Sequence, residues 1–290
     1  MTETATSTHC TLLGQTKMIV LHNERSEIPF SSFKFSGGET NVKVLEPSAI
    51  GDVVYIKADI NSGDDVMELL LLTDAIRRIN SVAKIGLLLP YLPYSRQDRV
   101  MVTGESLSIK VFASIINAQN YDSVVTWDAH SDVGVALIDR CTNLSQYELV
   151  DLLNLRLDAE DTILVSPDAG AEKKIFAFAK ALNFNTVVRA SKTRDVSTGQ
   201  ITRTELMISA TEKGTYKDFL IVDDICDGGR TFIELAKVLR PHTTGKIMLL
   251  VTHGIFSKGI EVFDGIIDEV FVLNNIGKVA SAGQVRVHSV

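Results

Sequence analysis

Apolar residues along the chain fall into short, almost uninterrupted runs at Val53–Ile56, Ile85–Leu89, Val124–Trp127, Thr162–Val165, Thr186–Val188, Phe219–Val222, Ile247–Val251 and Val270–Leu273. Runs of this length and β-branched content are those of strands covered on both faces. Most are separated by segments long enough for a helix. The clearest is Asp64–Asn80, where Val66, Leu69, Leu70, Ile76 and Ile79 recur near the 3.6-residue period, and Arg77 and Arg78 supply the cations favoured at a helix C-terminus. Further helices are predicted over Glu105–Ala118, Glu172–Leu182 and Thr231–Leu239, the last followed closely by Pro241. Alternating strands and helices with apolar strands predict an α/β protein with mostly parallel sheets flanked by helices. Two such sets fit 290 residues, and the least patterned stretch, Cys141–Asp161, places the division near residue 146, giving domains 1–146 and 147–290.

Composition narrows the classes. An apolar fraction of 45% with 22% charged residues is that of a globular protein. No apolar run approaches the roughly 20 residues of a membrane helix. The first residues show no basic start followed by an apolar stretch, so no secretory signal is expected. Cys10, Cys141 and Cys226 are odd in number and widely separated, which points to a reducing, cytoplasmic setting. A net charge of −7 argues against nucleic acid as a partner, so any anion site must be local.

Such a site is suggested by Asp218–Phe232, "DFLIVDDICDGGRTF": an apolar strand, two aspartates, then Asp-Gly-Gly-Arg-Thr opening a helix. Helix N-termini beyond the carboxyl ends of parallel strands hold anions. Asp223 and Asp224 can accept hydrogen bonds from a vicinal diol, and Gly228 and Gly229 allow a phosphate close to the backbone. An ordinary strand-to-helix turn with an acidic cap is the plainer alternative. In "PYLPYSRQDRV", Arg96 can bind a phosphate through two hydrogen bonds, with Gln97 beside it. His130 and Asp168 each stand just past an apolar run; a core histidine and a helix cap are the plainer alternatives.

Taken together, "FSGGE" (Phe35–Glu39), "PYLPYSRQDRV" (Pro90–Val100), "WDAHSD" (Trp127–Asp132), "SPDAGA" (Ser166–Ala171) and the acidic-pair loop resemble ribose-phosphate diphosphokinase, the phosphoribosyl diphosphate synthetase family. The resemblance implies two phosphoribosyltransferase-like domains, the first on the ATP side and the second carrying the sugar-phosphate loop. It implies Mg²⁺-dependent transfer of the diphosphoryl group of ATP to the anomeric hydroxyl of ribose 5-phosphate, within nucleotide biosynthesis. ATP would be met by Phe35, Glu39, Arg96, Gln97 and His130, and metal by His130 and Asp168. The diol would lie on Asp223 and Asp224, and the 5-phosphate end on Asp227, Gly228, Gly229, Arg230 and Thr231. Lys192 and Arg194 match the family's catalytic loop, in a stretch, Arg189–Gln200, whose composition suits a solvated loop. Homo-oligomers with an ATP site shared between subunits are implied as well.

The chain departs from the family pattern at three places. Gly37 stands where a carboxylate would accept from adenine, Val100–Ser106 lacks the basic residues expected there, and the loop has Gly228 for threonine and Arg230 for glycine. The last pair suggests an alternative acceptor, ADP-ribose or another 5-substituted ribose, since space is gained at 228 and a cation at 230. A phosphoribosyltransferase and a non-catalytic partner of a synthetase are the remaining alternatives.

Overall fold

The structure, a computed structural model, describes residues 18–194, 201–207 and 218–289, with backbone alone for 191–194 and 201–207. Two compact units divide the chain, Met1–Ser145 and Gln146–Val290.

In the first unit the elements are β1 (Ile19–His22), β2 (Phe30–Lys34), β3 (Thr40–Val44), β4 (Val53–Ala58), α1 (Gly63–Ile79), β5 (Lys84–Leu89), α2 (Ser108–Asn117), β6 (Ser123–Trp127), α3 (Asp132–Leu137) and β7 (Cys141–Leu144). The main sheet runs β1-β4-β5-β6-β7, with β1 antiparallel at the edge and the other pairs parallel. Helix α1 starts where Ser62 and Asp65 form a reciprocal capping box. Its Leu69, Leu72 and Ile76 are buried in a core shared with Val54, Ile56, Leu87 and Leu89. The β2–β3 hairpin is a separate antiparallel pair, tied to α1 by Ser32 with Glu68 and Lys34 with Asp64. Helix α2 begins three residues later than the pattern predicts, because the Glu105 carboxylate turns back to accept from the amides of Met101 and Val102 at 2.8 and 3.2 Å.

The second unit contains α4 (Gln146–Leu152), β8 (Thr162–Ser166), α5 (Glu172–Ala181), β9 (Val187–Arg194), β10 (Ile201–Met207), β11 (Asp218–Cys226), α6 (Arg230–Leu239), β12 (Ile247–Gly254), β13 (Glu269–Asn274) and β14 (Arg286–Ser289). Its sheet runs β10-β9-β8-β11-β12-β13-β14; only β10 is antiparallel to its neighbour. The chain passes from β8 to β9 on one side and from β11 to β12 on the other. The strand order therefore reverses between β8 and β11, where open α/β sheets leave a crevice.

Two expectations need correction. The Arg189–Gln200 stretch is not loop throughout: the backbone of Lys192 and Arg194 is strand, opposite Thr204 and Ile201 of β10. Likewise Asp223 and Asp224 do not leave their strand, because β12 keeps pairing with β11 as far as Cys226 opposite Gly254. On the other side, the β8 pairing stops at Val165 opposite Ile221. Among the described residues no helix is long and apolar enough to cross a membrane.

Candidate active site

In the first unit, the chain leaves β5 and β6, neighbours in the sheet, through two non-glycine residues in the left-handed region, Tyr94 (φ 62°) and Asp128 (φ 38°). Side chains rarely adopt this conformation, and it is held where surrounding structure over-determines it. Around Asp128 that structure is plain: its amide donates to the carbonyl of Leu144 at 2.7 Å, and the next amide, of Ala129, to the side chain of Asn143 at 2.9 Å. The turn delivers His130 to the surface. There it lines a cleft of about 570 Å³ with Arg96, Gln97, Asp98 and Arg99. The Arg99 guanidinium grips Asp98 through Nε at 2.7 Å and Nη2 at 3.0 Å. Hydrogen bonding from Arg99 first, then from the Ser131 hydroxyl, holds the Asp98 carboxyl down to about 2, with His130 adding a smaller favourable field. The cleft thus joins two arginines, an amide and an imidazole to two carboxylates, Asp98, paired with Arg99, and Glu105, which accepts from the amides of Met101 and Val102; its cationic and amide donors suit a polyphosphate.

Phe35 and Glu39 do not line this cleft. They sit at the exposed tip of the β2–β3 hairpin, where Phe35 donates to the Glu39 carbonyl at 2.9 Å and stacks edge-on against Phe33 at 4.9 Å. Phe33 and Phe35 are 48% and 53% exposed, unusual for two adjacent aromatics unless something covers them.

In the second unit, the switch point gathers the acidic residues. Asp168 follows β8, and its carboxylate accepts from the amides of Gly170 and Ala171 at 3.0 and 3.1 Å, which closes the turn leading into α5. Asp223 and Asp224 lie on β11, Asp224 buried and Asp223 partly so. Burial, then the charge of Asp224 and further that of Asp168, push the Asp223 carboxyl well above the ordinary carboxylate range. Asp223 and Asp224 side by side offer several oxygens to the hydroxyls of a vicinal diol. Lys174 of α5 stands 3.9 Å from Asp224. Gln146 of α4 donates to the Asp223 carbonyl at 2.8 Å, just beyond the point where β8 ceases to pair.

The loop after β11 is built around its glycines. Gly229 has φ 75°, and a Cβ there would lie 2.7 Å from the Phe263 ring, so only glycine fits. Gly228 is different: a Cβ would meet nothing closer than the Lys258 side chain at 3.6 Å. Asp227 accepts from the Ser257 hydroxyl at 2.6 Å, and Arg230 is exposed at the start of α6, with Thr231 next to it half-buried. Cys226 is buried, which pushes its thiol up to about 12 and makes it part of the core, without nucleophilic use. The side chains of Lys192 and Arg194 lie outside the described residues.

The pattern thus brings Arg96, Gln97 and His130 together, and separately Asp168, Asp223, Asp224 and the glycine loop. It misses Asp98, Lys174, Gln146 and Lys258. Only Asp98 has a signal in the sequence, its place inside "RQDR"; the others become visible when helices α4 and α5 and the loop after β12 pack on the switch point.

Residues 13–119 match the N-terminal domain of ribose phosphate pyrophosphokinase, and residues 208–288 the phosphoribosyl synthetase-associated domain. A ribose-phosphate pyrophosphokinase of Pyrococcus furiosus is 32% identical over 248 residues, covering 84% of this chain and 84% of that protein. One from Shewanella oneidensis is 32% identical over 251 residues, covering 84% of this chain and 77% of that protein. In fold, the crystal structure of phosphoribosylpyrophosphate synthetase from Mycobacterium smegmatis is similar with a TM-score of 0.74 at 23% identity, over 91% of this chain and 87% of that one. On these grounds the chain belongs to the ribose-phosphate pyrophosphokinase family, enzymes of the diphosphotransferase type.

Proposed function

We propose that the chain transfers the diphosphoryl group of Mg²⁺-ATP to the anomeric hydroxyl of ribose 5-phosphate or a 5-substituted ribose, releasing AMP. The observation that carries this reading is the switch point of the second sheet, where an acidic pair with one raised carboxyl adjoins a loop that requires glycine at 229. The acid pair orients the ribose diol, and residues 227–231 take its 5-phosphate end. The anomeric hydroxyl attacks the β-phosphorus of ATP, an O–P bond forms as the bond to the α-phosphate oxygen breaks, and the hydroxyl proton is released. No covalent enzyme intermediate is required.

Arg96, Gln97 and His130 bind the polyphosphate of ATP in the first unit, and Lys192 and Arg194 neutralise charge on the transferring group. Magnesium usually keeps waters and nucleotide oxygens with only one or two protein ligands. Among the described residues no group of three or more His, Cys, Asp or Glu forms a ready-made metal cage, a donor chemistry that fits a metal arriving with its nucleotide. His130, through water, and Asp168 would hold it, and it would supply charge compensation to the phosphates. Phe35 and Glu39 meet adenine bound to a neighbouring subunit of a homo-oligomer, which accounts for the exposed aromatic pair. Glu39 also supports adenine recognition despite Gly37: its Oε2 lies 4.0 Å from where Gly37 would carry a Cβ, beside the place of the missing carboxylate.

A second acceptor, ADP-ribose, is favoured by the loop itself, since no side chain occupies position 228 and Arg230 is exposed at the rim. The test is AMP release from Mg²⁺-ATP with each acceptor, the products identified by mass. Turnover with ribose 5-phosphate or ADP-ribose supports the reading and ranks the acceptors; AMP release with neither sinks it and leaves a non-catalytic partner of a synthetase. A phosphoribosyltransferase would instead consume the activated sugar without ATP. Lys192→Ala is expected to reduce turnover by roughly 10³-fold or more, as for cations that stabilise phosphoryl-transfer charge, with unchanged melting temperature. Undiminished turnover would remove Lys192 from the catalytic set.

A further inference from the structure

The segment leaving β12 is fastened onto the loop that leaves β11. The amides of Ile255 and Phe256 donate to the carbonyl of Cys226 at 2.8 and 3.1 Å, and the amide of Ser257 to the carbonyl of Asp227 at 3.2 Å. The Ser257 hydroxyl adds its bond to the Asp227 carboxylate at 2.6 Å. These four contacts fix the backbone that carries the next residue, Lys258. Its stem then lies flat along Gly228: Cε, Cδ and Cγ would stand 3.6, 3.7 and 3.9 Å from a Cβ at that position. A Cβ at 228 would sit in ordinary contact with that stem, so the stem borders the position where this loop carries no side chain. Lys258 is exposed, and its ammonium makes no ion pair or hydrogen bond among the described residues. A lysine that lays its stem on a surface and leaves its head unpaired holds a strongly hydrated point charge ready for an anion.

We propose that Lys258 is a positioning residue for the acceptor, pairing its ammonium with the phosphate ester at the ribose 5 position as that phosphate rests on Gly228 and Gly229. The inference rests on the assignment of residues 227–231 as the sugar-phosphate loop. Because the segment is already fastened to Cys226 and Asp227, little ordering remains at the moment of binding. Threonine, a neutral donor inside the loop, is in this way replaced by a cation reaching over it from the neighbouring strand's exit. The compensation serves ribose 5-phosphate and any longer 5-phosphate ester alike. Arg230, on the first residue of α6, is left for charge further along a substituent.

The decisive comparison is between wild type, Lys258→Met and Lys258→Arg, each with saturating ATP and varied ribose 5-phosphate or ADP-ribose. Lys258→Met keeps most of the stem and removes the charge. It is expected to raise the acceptor KM about tenfold, the size of a partly exposed charge-assisted contact, with the ATP KM and melting temperature unchanged and Lys258→Arg close to wild type. An unchanged acceptor KM in Lys258→Met, or an equal loss in both variants, overturns the proposal. Should wild type release no AMP with either acceptor, the catalytic reading fails on its own, and calorimetric titration of ribose 5-phosphate and ADP-ribose into wild type and Lys258→Met decides the point. Weaker binding of an acceptor to the variant then upholds Lys258 as a phosphate contact; equal binding, or none to either protein, overturns it.

Discussion

At the scale of single residues, the two glycines of the loop after β11 serve different ends. Gly229 is required by its backbone and by the Phe263 ring at 2.7 Å, whereas Gly228 borders only a flexible lysine stem. Gly229→Ala is therefore expected to destabilise the protein by about 1–3 kcal/mol through strain and overlap. Gly228→Ala should leave stability nearly unchanged, and urea denaturation of the two variants distinguishes them. Asp223 makes a prediction about pH. Its carboxyl, raised above the ordinary 3.8 chiefly by burial, keeps its proton in the folded protein over a range where the unfolded chain has lost it. Stability from this group is complete below 3.8 and declines as pH rises toward the folded value. Asp223→Asn removes that decline, so the variant should melt higher than wild type near neutral pH, lose the advantage in acid, and bind the acceptor more weakly. A melting difference independent of pH would show that Asp223 titrates as an ordinary carboxylate.

Between elements, the acidic pair depends on a strand that outruns its neighbour. β11 continues past the end of its pairing with β8, and the freed carbonyl of Asp223 is taken by the buried Gln146 side chain from α4. Gln146→Leu preserves volume but orphans that carbonyl, and is expected to cost about 1–3 kcal/mol. The same change should weaken acceptor binding, because it loosens the backbone that aims Asp223. Denaturation together with acceptor titration tests both effects; stability lost with affinity kept would make Gln146 a structural staple alone. The hydrophobic pattern located the strand but stopped its run at Val222, since Asp223 and Asp224 look like the start of a loop. Pairing with β12 overrides that local preference, because backbone hydrogen bonds to Val251 and His253 continue to be available. A similar override draws Lys192 and Arg194 into β9, against the polar composition of their segment. The helix start at Glu105 failed for the opposite reason, a carboxylate that found two amides behind it.

The whole molecule comprises two units that each have their own core. If nucleotide and acceptor are held by separate units, His130→Ala should weaken the apparent affinity for Mg²⁺-ATP by roughly 10–100-fold, as loss of a metal-orienting group does. Acceptor affinity measured without nucleotide should be untouched. Equal loss for both ligands would contradict the division. The sequence alone determined the alternation of strands and helices and the α/β class, because buried parallel strands demand continuous apolar runs and amphipathic helices a 3.6-residue period. It also placed His130 and Asp168 just past the strands β6 and β8, and a glycine at 229 where the loop after β11 requires one. The tertiary structure alone decided which groups meet. The reversal of strand order that brings β8 beside β11, the raised carboxyl of Asp223, the glutamine beneath it and the lysine laid across Gly228 all come from contacts between segments distant in the chain. Local composition carries no signal for such contacts, because they depend on packing and desolvation that exist only once the sheet has formed.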